Sequence, residues 1–133
     1  MNRNVVNVLI VDDEQHVRIM MKRIVKDLGY QVIAEATDGE EAIDLFRETS
    51  PDIVLLDINM PVMSGDVALK EIKKINSEAC VIILSSITNE ETMRICMDLG
   101  ATCYIKKEYS IMDIEHTIKS AWETFKLLCP AAI

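Results

Sequence analysis

The sequence predicts an α/β fold in which a parallel sheet carries helices on both faces. Five short apolar runs alternate with five segments in which apolar residues repeat every three or four positions. The first run, residues 5–11, is almost entirely apolar and mostly β-branched, which is typical of a strand buried on both faces. Because strands that alternate with helices need crossover connections, we expect the strands to be parallel.

The remaining elements follow from the same two patterns and from the residues that interrupt them. A helical repeat begins at Gln15 and stops before Gly29, a residue type common at helix C-termini. The other predicted strands are 31–36, 52–56, 79–84 and 102–106, and the other predicted helices are 40–49, 64–75, 89–99 and about 112–127. Since no repeat or linker interrupts this series, we expect a single domain over 1–133 with its core at about 5–127.

Composition and charge narrow the possible functions. Half of the 133 residues are apolar and the net charge is −8, which disfavours direct binding to nucleic acid. The apolar runs are too short to span a bilayer, and no signal-peptide core follows Met1, so we expect a cytoplasmic protein without a membrane partner. The four cysteines show no metal-site spacing, and we expect them to be reduced structural thiols.

Polar and charged side chains follow four of the predicted strands. Asp12 and Asp13 end the first strand, Asp57 the third, Ser85 the fourth and Lys107 the fifth. In open parallel sheets these strand ends meet at one edge, where ligands bind. Neighbouring carboxylates raise one another's pKa, and Mg²⁺, which prefers oxygen ligands, relieves this repulsion. A carboxylate nucleophile beside a metal and an ammonium group is suited to phosphoryl transfer.

The order of these residues resembles the receiver domain of two-component response regulators. The resemblance covers about residues 5–127, and the length is similar to that of the single-domain chemotaxis type. It implies a flavodoxin-like (βα)5 fold with strand order 2-1-3-4-5. The residues that carry it are Asp12-Asp13, Asp57, Asn59-Met60-Pro61, Gly65, Ser85, Gly100-Ala101, Tyr104 and Lys107.

The resemblance implies that Asp57 is the phosphoacceptor. The phosphoryl group would come from a sensor histidine kinase, a phosphotransfer protein or a small phosphodonor. Asp13, Asp57 and the backbone carbonyl of Asn59 would ligate Mg²⁺ directly, and Asp12 would act through a metal-bound water. The protein would then catalyse only its own phosphorylation and dephosphorylation, and would not be an enzyme acting on other molecules.

The resemblance also implies a switch. Lys107 would pair with Asp57 and then with the phosphoryl group, Ser85 would move to donate a hydrogen bond to that group, and Tyr104 would swing inward. The resulting change in the surface formed by helix 4, strand 5 and helix 5 would control a downstream protein target. We expect a monomer or weak dimer. Tyr104 alone is also compatible with a simple packing role.

One departure from the family pattern concerns the predicted lysine. Glu108 follows Lys107 where the family usually has proline, so we expect a trans peptide bond and a remodelled loop. Lys106 is a neighbouring candidate for the same role. We favour Lys107 because it lies seven residues after Gly100 and three after Tyr104.

Three alternatives remain open at this point. The chain could be a receiver module excised from a larger regulator, such as a transcription factor. An aspartate-nucleophile phosphatase is less favoured, because such enzymes usually carry a second acid where this chain has Asn59. A flavin-type cofactor binder is disfavoured because Asp12-Asp13-Glu14 would repel a phosphate.

Overall fold

The computed structural model describes residues 5–86 and 90–128 and contains five parallel strands and five helices. The sheet order is β2-β1-β3-β4-β5, and every neighbouring pair is parallel. This confirms the predicted α/β class and the flavodoxin-like strand order. The elements are β1 (Asn7–Val11), α1 (Gln15–Asp27), β2 (Gln31–Ala36), α2 (Gly39–Thr49), β3 (Ile53–Leu56), α3 (Gly65–Ile75), β4 (Cys80–Ser85), α4 (Glu90–Asp98), β5 (Cys103–Lys106) and α5 (Ile111–Leu128).

The sheet separates two apolar layers. On β1, Leu9 and Val11 pack with residues of α2, α3 and α4, whereas Val8 and Ile10 pack with residues of α1 and α5. Successive side chains of a strand point to opposite faces, so a strand covered on both faces must be apolar throughout. This explains the unbroken apolar runs in the sequence.

The predicted boundaries agree with the observed ones to within two residues, and those of β2 agree at both ends. The first strand begins at Asn7 rather than residue 5, because an apolar run does not mark where ladder pairing begins. Helix α2 begins at Gly39, since the Asp38 side chain accepts a hydrogen bond from the Glu41 N–H at 2.8 Å and caps the helix. The predicted start of the fourth helix, at residue 89, lies outside the described residues.

The predictions on membrane spans and cysteines can be compared with the described part of the chain. Within residues 5–86 and 90–128, no helix combines the length and apolarity needed to cross a bilayer. Cys80, Cys96 and Cys103 are thiols that form no disulfide with one another. Cys129 lies outside the described residues.

Strand register brings the polar strand ends together. Val11 of β1 pairs with Leu56 of β3, so the following residues, Asp12 and Asp57, stand side by side. At the other junction Ser85 of β4 pairs with Lys106 of β5, and the Lys107 N–H donates to the Ser85 carbonyl at 2.9 Å. The polar residues that the sequence places at one edge of the sheet therefore do lie there, at the ends of adjacent strands.

Gly65 allows the loop after β3 to return closely to the strand. Its N–H donates to the Ile58 carbonyl at 2.8 Å. A Cβ atom at position 65 would overlap the Asp57 carbonyl oxygen and lie 2.6 Å from the Ile58 Cα. Because these neighbours are backbone atoms, they cannot give way as a flexible side chain would.

We predict that Gly65→Ala destabilises the protein by about 2–4 kcal/mol, because the methyl group must displace the backbone around Asp57. Urea denaturation of both proteins measures the difference in unfolding free energy. Gly29→Ala is the matched control: Gly29 has φ +81° with no atom within 4 Å of the added methyl, so it should lose only about 1 kcal/mol. Equal losses at the two positions would contradict the proposed close approach at Gly65.

Candidate functional site

Three carboxylates meet beyond the ends of β1 and β3. Asp12 and Asp57 are buried and Asp13 is exposed, and each offers an oxygen atom within 4.8 Å of the others. Buried and unneutralised carboxylates are costly, so an oxygen-only donor set of this kind fits a hard divalent cation such as Mg²⁺. The structure thus brings together the three acids that the sequence predicts as metal ligands.

Lys107 supplies the cation of the cluster. Its Nζ lies 2.8 Å from Asp12 Oδ2, 3.3 Å from Asp57 Oδ1 and 3.6 Å from Glu14 Oε1. The Lys107–Glu108 peptide bond is trans, as expected. The Lys107 N–H donates to the Ser85 carbonyl, which fixes the backbone from which the side chain reaches the acids.

The other predicted residues lie around this cluster at different depths. Ser85 is fully buried at the end of β4. Asn59 is exposed, and its N–H donates to Asp57 Oδ1 at 3.3 Å, a contact that the sequence did not indicate. Tyr104 pairs with Ile83 in the sheet and lies partly buried against the α2–α3–α4 layer, one step back from the strand ends.

Burial and charge shift the ionisation of the two central groups. Burial, reinforced by the negative charge of Asp12, raises the pKa of Asp57 to about 6 from an ordinary 3.8; Lys107 and the Asn59 N–H oppose this shift. Burial lowers the pKa of Lys107, but its hydrogen bond with Asp12 and the charges of Asp57 and Asp12 outweigh it, so the pKa is raised. At neutral pH the cluster therefore pairs an ammonium with surplus negative charge.

Two side chains of the site were missed by the sequence analysis. Arg18 Nη1 donates to the Asp12 backbone carbonyl at 3.0 Å, and Arg18 Nε lies 3.3 Å from Glu35 Oε1. The Glu14 side chain reaches Lys107, and the Glu14 N–H donates to Asp12 Oδ1 at 2.9 Å. The tripeptide Asp12-Asp13-Glu14 could have suggested Glu14, whereas the Arg18 contacts depend on how α1 packs on β2.

A cavity lies at the opposite end of the sheet from the acidic cluster. Its volume is about 510 Å³, and its lining includes Pro51, Asp52 and Ala79, which precede β3 and β4. None of the predicted site residues lines it. The predicted site residues lie instead at the C-terminal strand ends, where ligands bind in open α/β sheets.

We predict that Asp57→Asn raises the melting temperature near neutral pH in metal-free buffer. The folded-state pKa of Asp57, about 6, exceeds the ordinary 3.8, so the folded protein binds more protons between these values and loses stability as pH rises through this window. Above it the carboxylate costs about 2–3 kcal/mol, which the amide avoids. Thermal denaturation followed by circular dichroism should show the full gain at about pH 7.5 and only about a third of it at about pH 4.5, because most of the free-energy cost builds up between these pH values.

The control for this prediction is Asp44→Asn on α2, where the side chain is largely exposed and only loosely paired with Arg47. It should change the melting temperature little at either pH. A gain for Asp57→Asn that stayed constant between the two pH values would show that burial of the Asp57 charge is not its cause.

Comparison with known proteins identifies relatives for most of the chain. Residues 8–119 match the family described as response regulator receiver domain. The chemotaxis protein CheY of Thermotoga maritima is 42% identical over 102 residues, covering 77% of this chain and 85% of that protein. The probable transcriptional regulator ycf27 of Guillardia theta is 37% identical over 113 residues, covering 85% of this chain but only 44% of that protein.

Solved structures agree with the sequence comparisons. A complex of CheX, CheY, BeF3 and Mg²⁺ from Borrelia burgdorferi contains a chain with a TM-score of 0.85 and 33% identity, covering 88% of this chain and 89% of that one. Receiver domains are signalling proteins rather than classical enzymes, and they bind Mg²⁺ through acidic residues, which the cluster at Asp12, Asp13 and Asp57 fits. The chain therefore belongs to the response regulator receiver domain family and is a CheY-like receiver of two-component signalling.

Proposed function

We propose that the protein is a phosphorylation-activated switch in which Asp57 accepts the phosphoryl group. The observation that carries the proposal is the placement of Asp57, a buried carboxylate at a strand end with Lys107 Nζ 3.3 Å from one oxygen and two further acids beside it. The donor would be a sensor histidine kinase, a phosphotransfer protein or a small phosphodonor.

The transfer requires a carboxylate that can reach phosphorus. One oxygen of Asp57 forms a bond to phosphorus while the bond between phosphorus and the donor's leaving atom breaks, and the leaving atom keeps the electron pair. With acetyl phosphate the leaving group is acetate. Lys107 pairs with Asp57 before transfer and remains within reach of the added phosphoryl oxygens, whose negative charge it partly balances.

The donor set supports a role for Mg²⁺. Asp13, Asp57 and the backbone carbonyl of Asn59 would hold the ion directly, and Asp12 would act through a metal-bound water. When bound, the ion supplies positive charge to the phosphoryl oxygens. Asp12 also has a role that does not depend on the metal. Its Oδ2 lies 2.8 Å from Lys107 Nζ and holds the ammonium group near Asp57.

The switch would act through the strand ends next to the site. Ser85 is buried on the strand adjacent to Lys107, and Tyr104 lies partly buried on β5 behind it. Movement of these side chains would alter the surface of α4, β5 and α5, which would bind the downstream protein. Large apolar side chains of α4, of the segment after β5 and of the start of α5 are exposed: Ile95, Tyr109, Ile111 and Met112.

Two alternatives have different support. The ycf27 relative, of which this chain covers less than half, supports a receiver that belongs to a longer transcriptional regulator. In either case we propose that residues 1–133 act as one receiver domain.

An aspartate-nucleophile phosphatase would need a second acid near Asp57, and position 59 is an asparagine. Turnover of a generic phosphate ester would favour that enzyme over the switch.

We predict that incubation with acetyl phosphate and Mg²⁺ adds one phosphoryl group to the protein, measured by intact mass spectrometry. Asp57→Asn should abolish the adduct, because an amide is not a comparable nucleophile, whereas Asp44→Asn should retain it. Chelation of Mg²⁺ should reduce the adduct strongly in the parent. An Asp57→Asn protein labelled as fast as the parent would disprove the assignment of the phosphoacceptor.

We further predict that Ser85→Ala separates phosphorylation from the switch. Without the hydroxyl, Asp57 should still be labelled, though more slowly, but the α4–β5–α5 surface should respond less. Amide chemical shifts with and without phosphodonor measure this response, and mass spectrometry shows when the slower variant has reached the same extent of labelling as the parent. Ser86→Ala, at the exposed neighbouring position, should behave like the parent. Full shifts across that surface in Ser85→Ala would remove Ser85 from the switch.

A further inference from the structure

We infer that Arg18 is a positioning residue that sets the geometry of the metal-binding acids Asp12 and Asp13. The inference rests on the proposed function, because it assumes that the acidic cluster binds Mg²⁺. Arg18 lies in the first turn of α1, outside the cluster itself. Within the described part of the chain it contacts the Asp12 backbone carbonyl and the Glu35 carboxylate.

The contacts of Arg18 join three elements. Its Nη1 donates to the Asp12 carbonyl at 3.0 Å, and its Nε lies 3.3 Å from Glu35 Oε1 on β2. Lys22, one turn further along α1, holds the other oxygen of Glu35 at 3.2 Å. The Arg18 side chain is only 17% exposed, so its ion pair with Glu35 is screened less by solvent than an ordinary surface ion pair.

The Asp12 backbone is consequently held on both sides. Its N–H donates to the Ala36 carbonyl at 3.1 Å, and its carbonyl accepts from Arg18. The carbonyl belongs to the peptide unit that leads to Asp13, and a peptide unit is planar. Fixing that oxygen therefore fixes the direction in which the chain continues to Asp13, the exposed acid of the cluster.

If Arg18 acted only through its charge, its substitution would change the Mg²⁺ affinity in the opposite direction from that expected for a positioning residue. Arg18 is a cation near the acids, so removing its charge should strengthen the attraction for Mg²⁺. If Arg18 instead positions Asp12 and Asp13, its removal should weaken Mg²⁺ binding, because the ligand oxygens lose their arrangement. The sign of the change thus distinguishes the two roles.

The experiment compares substitutions at Arg18 with the same substitutions at Arg23. Arg23 lies on the same helix, is largely exposed and pairs with Asp27, away from Asp12. Arg18→Met and Arg23→Met each remove one charge, whereas Arg18→Lys and Arg23→Lys keep it. Mg²⁺ dissociation constants come from titrations of the full chain followed by amide chemical shifts, and thermal melting confirms that each variant is folded.

We expect Arg18→Met to bind Mg²⁺ about tenfold more weakly than Arg23→Met. Arg18→Lys should fall between the parent and Arg18→Met, because one ammonium cannot reproduce the forked contacts to Asp12 and Glu35. Arg23→Lys should match the parent. If the folded Arg18 variants bind Mg²⁺ as tightly as the matched Arg23 variants, or more tightly, the inference is overturned. If Arg18→Met does not fold, the comparison of Arg18→Lys with Arg23→Lys decides the question. A parent protein that does not bind Mg²⁺ overturns the proposed metal site as well.

Discussion

The structure depends on one electrostatic constraint, the convergence of the Asp12, Asp57 and Glu14 carboxylates on Lys107. Parallel register brings Asp12 and Asp57 together, and Lys107 reaches both from β5. The ammonium neutralises only part of this charge, so the folded protein retains buried negative charge that costs free energy. A protein without a use for such a site would be more stable with apolar residues there, which is why the imbalance indicates function rather than stability.

Backbone hydrogen bonds hold the loop that follows Asp57 in one conformation beside the charged cluster. The loop after β3 places Val62 at φ +67°, a conformation that disfavours a β-branched residue by roughly 1–2 kcal/mol. Hydrogen bonds from Met63 to Pro61 and from Gly65 to Ile58 stabilise the loop on either side of Val62. The loop that carries Asn59 is thus tightly bonded, and its shape follows from the close return that Gly65 permits.

The sequence predicts the sheet and the acids for clear physical reasons, and the remaining features depend on distant contacts. Apolar runs that stop at charged residues locate the strand ends, so Asp12, Asp57 and Lys107 could all be assigned to one edge. The strand order was supplied by the family resemblance rather than by periodicity. The sequence does not show how Lys107 is positioned, because the hydrogen bond from its N–H to the Ser85 carbonyl depends on the pairing of β4 with β5. Arg18 was missed for the same reason, since its partner Glu35 is distant in sequence.

The position of Lys107 explains how a charge change at Asp57 would reach the rest of the sheet. Its side chain is shared between Asp12 and Asp57, while its backbone N–H is bonded to the Ser85 carbonyl on β4. A phosphoryl group on Asp57 would replace a partially shared carboxylate with a stronger anion and would draw the ammonium away from Asp12. The hydrogen bond between Lys107 and Ser85 connects β5 to β4, and these two strands carry Tyr104 and Ser85. A change of charge at Asp57 would therefore reach the junction of β4 and β5 through Lys107. On the β1–β2 side the Asp12 side chain would lose part of its contact with the ammonium, while its backbone would still be held by Arg18.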